Sequence, residues 1–258
     1  MKTARVAYAG AIHQAYPHEQ GVRLADGRIL SEADVVWLPP FELGTVIALG
    51  LNYAEHAKEL SFGKQEEPLA FIKSSTTFIG HNGQTRRPAG VAFMHYECEL
   101  AVVIGKTAKN VGKADAMAYV LGYTVANDYA IRDYLENWYR PNSRVKNRDT
   151  CTVIGPWLVD AMDVPDPHNL ELRTFVNGVQ TQKGRTNDMV SDIPTLIEYL
   201  SGFMTLSRGD VILTGTPDGI INVVAGDVVV TEILGVGRLS NQIVGDKVFG
   251  IGEKNATN

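Results

Sequence analysis

Two glutamates interrupt what is otherwise an apolar strand, and few folds can place them there. The run His95-Tyr96-Glu97-Cys98-Glu99-Leu100-Ala101-Val102-Val103-Ile104-Gly105 has the aliphatic and β-branched content of a strand entering a core. Residues two apart on a strand point to the same face, so Glu97 and Glu99 share a side and Cys98 takes the other as a small core residue. Two like charges so placed repel unless something positive lies between them. A third acid, Asp128, ends a second apolar run, Gly122-Tyr123-Thr124-Val125-Ala126-Asn127-Asp128. Three oxygen donors with no Cys or His set beside them suit a hard cation, Mg²⁺ ahead of Mn²⁺. A solvated strand face with a turn aspartate is the alternative that spacing leaves open.

Composition narrows the setting. A chain of 258 residues can bury one substantial core, so one main domain with a small appendage is expected. Hydrophobic content of 45% against 21% charged residues is that of a soluble globular protein, and no apolar run reaches membrane-spanning length. A net charge of −5 argues against a nucleic-acid surface, since phosphates call for a basic face. Cys98 and Cys151 alone give neither a disulfide framework nor a thiolate metal site, and the start Met1-Lys2-Thr3-Ala4-Arg5-Val6 has no apolar leader. A cytoplasmic protein is the expectation. On that reading the glycosylation-like Asn255-Ala256-Thr257 is a chance match.

Along the chain, residues 4–38 read as a small β unit with an Asp26-Gly27 hairpin turn, giving an N-terminal β subdomain over 1–42 and a main domain over 43–258. Strands are predicted at Val46–Leu49, Phe71–Lys73, Glu97–Ile104, Leu170–Val176, Val211–Thr214, Val228–Ile233 and Ile243–Val244. Helical character appears at Tyr53–Leu60, capped by Asn52, at Ala114–Val120 and at Arg132–Tyr139, and most clearly at Ile193–Met204. Strands outnumber helices and do not alternate with them, so the fold class is α+β around a rolled or sandwiched mixed sheet.

Three further segments carry candidate chemistry. On a helix His56 and Glu59 share a face, so the carboxylate can orient the imidazole as a general base requires; an exposed helical pair is the plain alternative. Arg132 and the basic run Arg140–Arg148, which includes Lys146, suggest an anionic substrate or else a solvated loop. In Leu213-Thr214-Gly215-Thr216-Pro217, Gly215 admits close backbone approach, and the hydroxyls and amides can bind a carboxylate; a Gly-Pro turn also occurs without a ligand. His13, His18, His81 and His168 lie among loop signals and are expected to face solvent. His95 points with the acids and can support them from behind. Cys151 has no histidine partner for thiol catalysis.

Taken together, Leu51-Asn52-Tyr53 with His56 and Glu59, Tyr96-Glu97-Cys98-Glu99-Leu100, Asn127-Asp128 with Arg132-Asp133, and Thr214-Gly215-Thr216-Pro217 resemble the fumarylacetoacetate hydrolase family from Ile47 to Val244. The resemblance implies a mixed β-sandwich roll. It also implies a metal triad on Glu97, Glu99 and Asp128, a lysine on Lys146, and a His–Glu pair on His56 and Glu59. His95–Leu100, Asn127–Asn137 and Asp166–Leu170 look like the branch of decarboxylase/isomerases in homoprotocatechuate catabolism, which are commonly fused pairs of similar halves.

The resemblance further implies a Mg²⁺- or Mn²⁺-dependent enzyme acting on an unsaturated 2-oxo di- or tricarboxylate through a metal-held dienolate. Lys146, Arg132, Thr214, Gly215 and Thr216 would hold the substrate, and His56 with Glu59 would move protons. A homodimer is implied, or pairing with a homologous subunit, with a region over Tyr53–Lys64 able to close as a lid. Hydrolysis of a C–C bond in an acylpyruvate or fumarylpyruvate is the rival reading, and a non-catalytic module binding metal and oxo acid is the non-enzyme one.

Overall fold

The computed structural model describes residues 1–60, 67–135 and 143–245. The helical character expected beyond residue 135, the lid region past residue 60 and the Asn255 motif lie outside them, in whole or in part. Two mixed sheets pack face to face, with few helices, as the α+β reading anticipates. The larger runs through Ile29–Leu30, Gly21–Leu24, Ala11–His18, Lys2–Tyr8, Thr152–Asp160, Val120–Asp128, Cys98–Ile104, Val211–Leu213, Val46–Gly50 and Leu69–Lys73. The smaller runs through Val179–Arg185, Glu171–Val176, Val228–Ile233, Gly237–Gly245 and Gly83–Arg87.

Alternation along the strands builds the main core. Cys98, Leu100, Val102 and Ile104 face the smaller sheet and meet Tyr123, Val125, Leu172, Val229 and Leu239. Ala101 points the other way, onto a second apolar layer with Ala48, Ala126, Ile154 and Leu213. Residues from Ala4 to Trp37 form a third cluster of their own, yet Lys2 pairs with Val159, so the N-terminal strands extend the larger sheet.

Helix α3, Ile193–Phe203, starts where Asp192 accepts from the Thr195 backbone N–H at 2.9 Å and Pro194 fills the first turn. It buries Leu196, Ile197 and Leu200. Two of the expected helices are tighter 3₁₀ turns, Ala116–Tyr119 and Arg132–Tyr134. The α1 helix, Ala54–Glu59, follows Tyr53, whose side chain makes no capping hydrogen bond. Asn52 instead reaches across the chain, donating to the Ser191 and Thr214 carbonyls at 3.0 and 2.9 Å and accepting from the Ser191 N–H at 2.8 Å. His81 is packed rather than solvated: its ring meets Trp37 edge-on at 5.1 Å, and Nδ1 accepts from the Ser240 N–H. His13 and His18 lie in the half-buried Ala11–His18 strand.

Candidate active site

Strand register creates the acidic cluster. Cys98 pairs with Asn127 across the antiparallel ladder, and the Asp128 N–H donates to the Glu97 carbonyl at 2.9 Å. Asp128 therefore lies beside the two glutamates, and the three carboxylates offer oxygens within 4.8 Å of one another, all buried. The positive charge that such a cluster needs comes from two lysines. Lys146, on the short α2 helix Ser143–Lys146, donates to Glu97 Oε2 at 2.5 Å and Asp128 Oδ2 at 2.9 Å. Lys73, at the end of the Leu69–Lys73 strand, donates to Asp128 Oδ1 at 2.6 Å and to the Lys146 carbonyl.

Lys73 is not among the residues the sequence singles out. A lysine closing an apolar strand reads as the point where the chain meets water, whereas this side chain is fully buried. The available signal is the mirrored problem, three acids in a core calling for more than one cation.

Electrostatics separates the two glutamates. Burial opposes ionisation of Glu97, but the Lys146 ammonium and then the Arg132 guanidinium outweigh it and hold its carboxyl below the ordinary range. Glu99 goes the other way: burial, and then the charges of Asp128 and Glu97, push it well above that range. For Lys146, the surrounding acids Asp128 and Glu97 overcome burial and raise the ammonium's pKa. One oxygen of Glu99 accepts the Gly215 N–H at 2.6 Å; the other, Oε1, is buried without a partner. A buried orphaned carboxylate oxygen facing two more carboxylates fits a hard divalent cation, which would satisfy it.

A cavity opens above the cluster. His56, Arg132, Lys146, Glu97 and Thr216 line it together with Leu51, Leu69, Phe71 and Leu135. Leu51 has φ of 59°, a left-handed conformation uncommon for a branched side chain, and it turns the chain from the Val46–Gly50 strand into α1. His56 Nδ1 lies 3.0 Å from Glu59 Oε2, while Glu59 Oε1 accepts the Gly219 N–H at 3.2 Å. Arg132 donates from Nε to His95 Nε2 at 2.6 Å and from Nη2 to Glu97 Oε1 at 3.5 Å. His95 is fully buried, 3.7 Å from Glu97, and burial pushes its pKa well down, so it is the neutral acceptor that Arg132 requires.

Two residues of the Thr214–Thr216 turn serve the scaffold. The Thr214 hydroxyl donates to the Leu100 carbonyl at 2.9 Å, and the Gly215 N–H is committed to Glu99, so both secure the turn to the strand that carries the acids. Gly215 has φ of 88°, and a Cβ there would stand 3.1 Å from Asn52 Cβ, which is why glycine fits. Cys151 is buried, with Lys73 rather than a histidine 3.8 Å from its sulfur.

Known proteins share this arrangement of strands and sequence. Residues 45–244 match the family described as fumarylacetoacetate (FAA) hydrolase, C-terminal. The chain belongs to the fumarylacetoacetate hydrolase family. It is 64% identical over 201 residues to a 4-hydroxyphenylacetate degradation bifunctional isomerase/decarboxylase of Salmonella dublin, covering 78% of this chain and 47% of that one. The chain thus spans about half the length of such relatives. A 5-carboxymethyl-2-hydroxymuconate delta-isomerase of Mycobacterium smegmatis has a similar structure, with TM-score 0.82 and 38% identity, covering 95% of this chain and 99% of that one. A fumarylpyruvate hydrolase of Pseudomonas aeruginosa, solved with Mn²⁺ and pyruvate, has TM-score 0.74 and 29% identity, covering 80% and 91%. No helix among the described residues is long and apolar enough to cross a membrane.

Proposed function

We propose that the chain is a Mg²⁺-dependent decarboxylase/isomerase acting on an unsaturated 2-oxo tri- or dicarboxylate in aromatic catabolism, with 5-oxopent-3-ene-1,2,5-tricarboxylate as the substrate type. The observation that carries this reading is the set of three buried carboxylates, one oxygen of Glu99 unsatisfied, next to a cavity that Glu97, Lys146 and Arg132 line. Glu97, Glu99 and Asp128 would hold the cation, whose chemistry is Lewis-acid polarisation of the ketone and carboxylate oxygens of a 2-oxo acid. Mn²⁺ would serve in its place, as the hydrolase neighbour solved with that ion suggests.

The chain's own residues supply binding and proton movement. Arg132, oriented by His95, presents a fork suited to a carboxylate, and Lys146 supplies a second cation for the anion. Leu69, Phe71 and Leu135 keep bulk water from the reacting carbons. With Glu59 accepting from the Nδ1–H of His56, Nε2 keeps a lone pair and can take a proton from one carbon and return it to another. Loss of the distant carboxylate as carbon dioxide and reprotonation of the resulting dienol are then steps one cavity can serve.

The same reading makes residues 1–42 a small β subdomain beside a catalytic unit over 43–258, and places the protein in the cytoplasm. It has the chain act as a homodimer or beside a homologous subunit, since the match covers only about half the length of those relatives.

The test monitors ultraviolet spectra with Mg²⁺ and, separately, the tricarboxylate or an acylpyruvate. Carbon dioxide release with a transient dienoate absorbance, lost with EDTA and lowered at least about a thousandfold in Glu97→Ala, is the expected result. Cleavage of the acylpyruvate alone would replace this reading with a hydrolase in which His56 activates water.

A further inference from the structure

Thr216 lines the cavity from the turn after the Val211–Leu213 strand. Behind it, on the Val179–Arg185 strand of the smaller sheet, Gln182 is buried with three polar contacts. Its Nε2 donates to the Pro217 carbonyl at 2.7 Å and to Thr216 Oγ1 at 3.0 Å, and its Oε1 accepts from Thr174 Oγ1 at 2.8 Å. A carbonyl can only accept, so the Pro217 contact fixes which end of the carboxamide is nitrogen. Both amide protons are then used, and one of them engages the oxygen of Thr216. The Thr216 proton must point elsewhere, and among the described residues no acceptor takes it. What remains in front of it is the cavity, whose Lys146 and Arg132 attract an anion.

We infer that Gln182 is a positioning residue that holds Thr216 as a hydrogen-bond donor to an anionic ligand, a 2-oxo acid or other dicarboxylate. The inference rests on the reading of the cavity as an oxo-acid site, and not on which reaction occurs there. A hydroxyl left free could serve as donor or acceptor and would discriminate little. One that already accepts from behind keeps its proton off Gln182 and free for the cavity, which favours an acceptor in front. The backbone enforces the geometry: Gly184 shares a strand face with Gln182, and a Cβ built on it would collide with the Pro217 ring. The strand therefore packs directly against the Thr216–Pro217 turn and holds Gln182 within reach of it.

Calorimetric titration with oxalate in Mg²⁺ buffer tests this without turnover. Gln182→Leu and Thr216→Val should each weaken oxalate about tenfold, the scale of a lost hydrogen bond to a charged group. Thr216→Ser should restore binding, and the double variant should bind no more weakly than Thr216→Val alone, because Gln182 acts only through that hydroxyl. If Gln182→Leu does not fold, the near-isosteric Gln182→Glu carries the test: its carboxylate accepts the Thr216 proton and turns the donor away from the ligand, so oxalate should again weaken. In turnover the rise in KM should exceed the fall in kcat. Unchanged oxalate affinity in a folded Gln182 variant, or losses that add in the double variant, would overturn the inference. Oxalate binding without any turnover would remove the proposed reaction and leave this arrangement standing; no oxalate binding to the unaltered protein would overturn both.

Discussion

Two ion pairs in this molecule have the same length and opposite meaning. Lys73 Nζ lies 2.6 Å from Asp128 Oδ1 in the site, and Arg28 Nη2 lies 2.6 Å from Asp26 Oδ2 on the N-terminal hairpin. The first pair is 0% and 1% exposed; the second is 48% and 48%. They also differ in sequence separation, since Lys73 and Asp128 come from different strands whereas Asp26 and Arg28 share one turn. Distance alone therefore says little. Dielectric, and whether the unfolded chain keeps the pair, decide what a contact contributes.

Breaking the buried pair should have the larger effect. Lys73→Met keeps the side chain's bulk but leaves Asp128 Oδ1 with only the Thr152 hydroxyl, 3.4 Å away. Removing one partner of a buried pair strands a charge, at a cost of about 3–5 kcal/mol. Urea denaturation in EDTA would measure it. A loss under about 1 kcal/mol would mean that water reaches Asp128 or that Lys146 alone neutralises the cluster. Lys146→Met should be similarly costly, because it removes the donor to both Glu97 and Asp128.

His81 sharpens the comparison, being a titratable group that is mostly buried yet has no strong partner. Burial pushes its pKa down to about 4; Glu32 Oε2 is 3.8 Å from Nε2, but it is 51% exposed, so its pull is screened. The folded chain thus holds a neutral imidazole where the unfolded chain titrates near 6.5. Between those values the unfolded chain binds more protons, so stability is full above about pH 6.5 and falls as pH drops toward 4. By pH 5 the loss from this one group is about 2 kcal/mol. His81→Asn keeps an acceptor for the Ser240 N–H and should flatten the dependence. Identical slopes of unfolding free energy from pH 7 to 5 in the two proteins would show that His81 takes up its proton in the fold as it does in the unfolded chain.

Much of the molecule is legible in the sequence because it is written locally. The Asp26-Gly27 turn announces its hairpin, and two glutamates in an aliphatic run announce a site, since the strand period puts both on one face. The features that stay hidden depend on partners distant along the chain. Asn52 has the composition of a helix cap, but its bonds go to Ser191 and Thr214. His81 sits among turn residues, and only the fold sets it against Trp37. Gln182 lies in a polar run, Gln180-Thr181-Gln182-Lys183, where nothing distinguishes the buried position from its exposed neighbours until register is known. Short helices are also easily over-read: Ala116–Tyr119 and Arg132–Tyr134 are too brief for periodicity to separate a 3₁₀ turn from an α-helix.

The exposed pair should do least, and for a reason that its pKa alone would obscure. Arg28 donates twice from its side chain and once from its backbone to Asp26, and these contacts lower the Asp26 carboxyl to about 2. A depressed carboxylate contributes stability above its unfolded pKa and loses it as pH falls through the folded value, here from about 4 down to about 2. That linkage needs the pair to be absent from the unfolded chain. Two residues separated by one glycine stay close in any ensemble, so much of the shift survives unfolding and cancels. Both partners are also open to salt. Asp26→Asn keeps the turn, since Asn-Gly suits it as well as Asp-Gly. The urea midpoint at neutral pH should therefore stay where it is, while the wild-type Asp26 resonance titrates well below the usual range at low ionic strength and moves back up in concentrated salt. A large fall in the midpoint would mean that the unfolded hairpin loses the pair, and that sequence separation rather than burial had been the weaker half of the comparison.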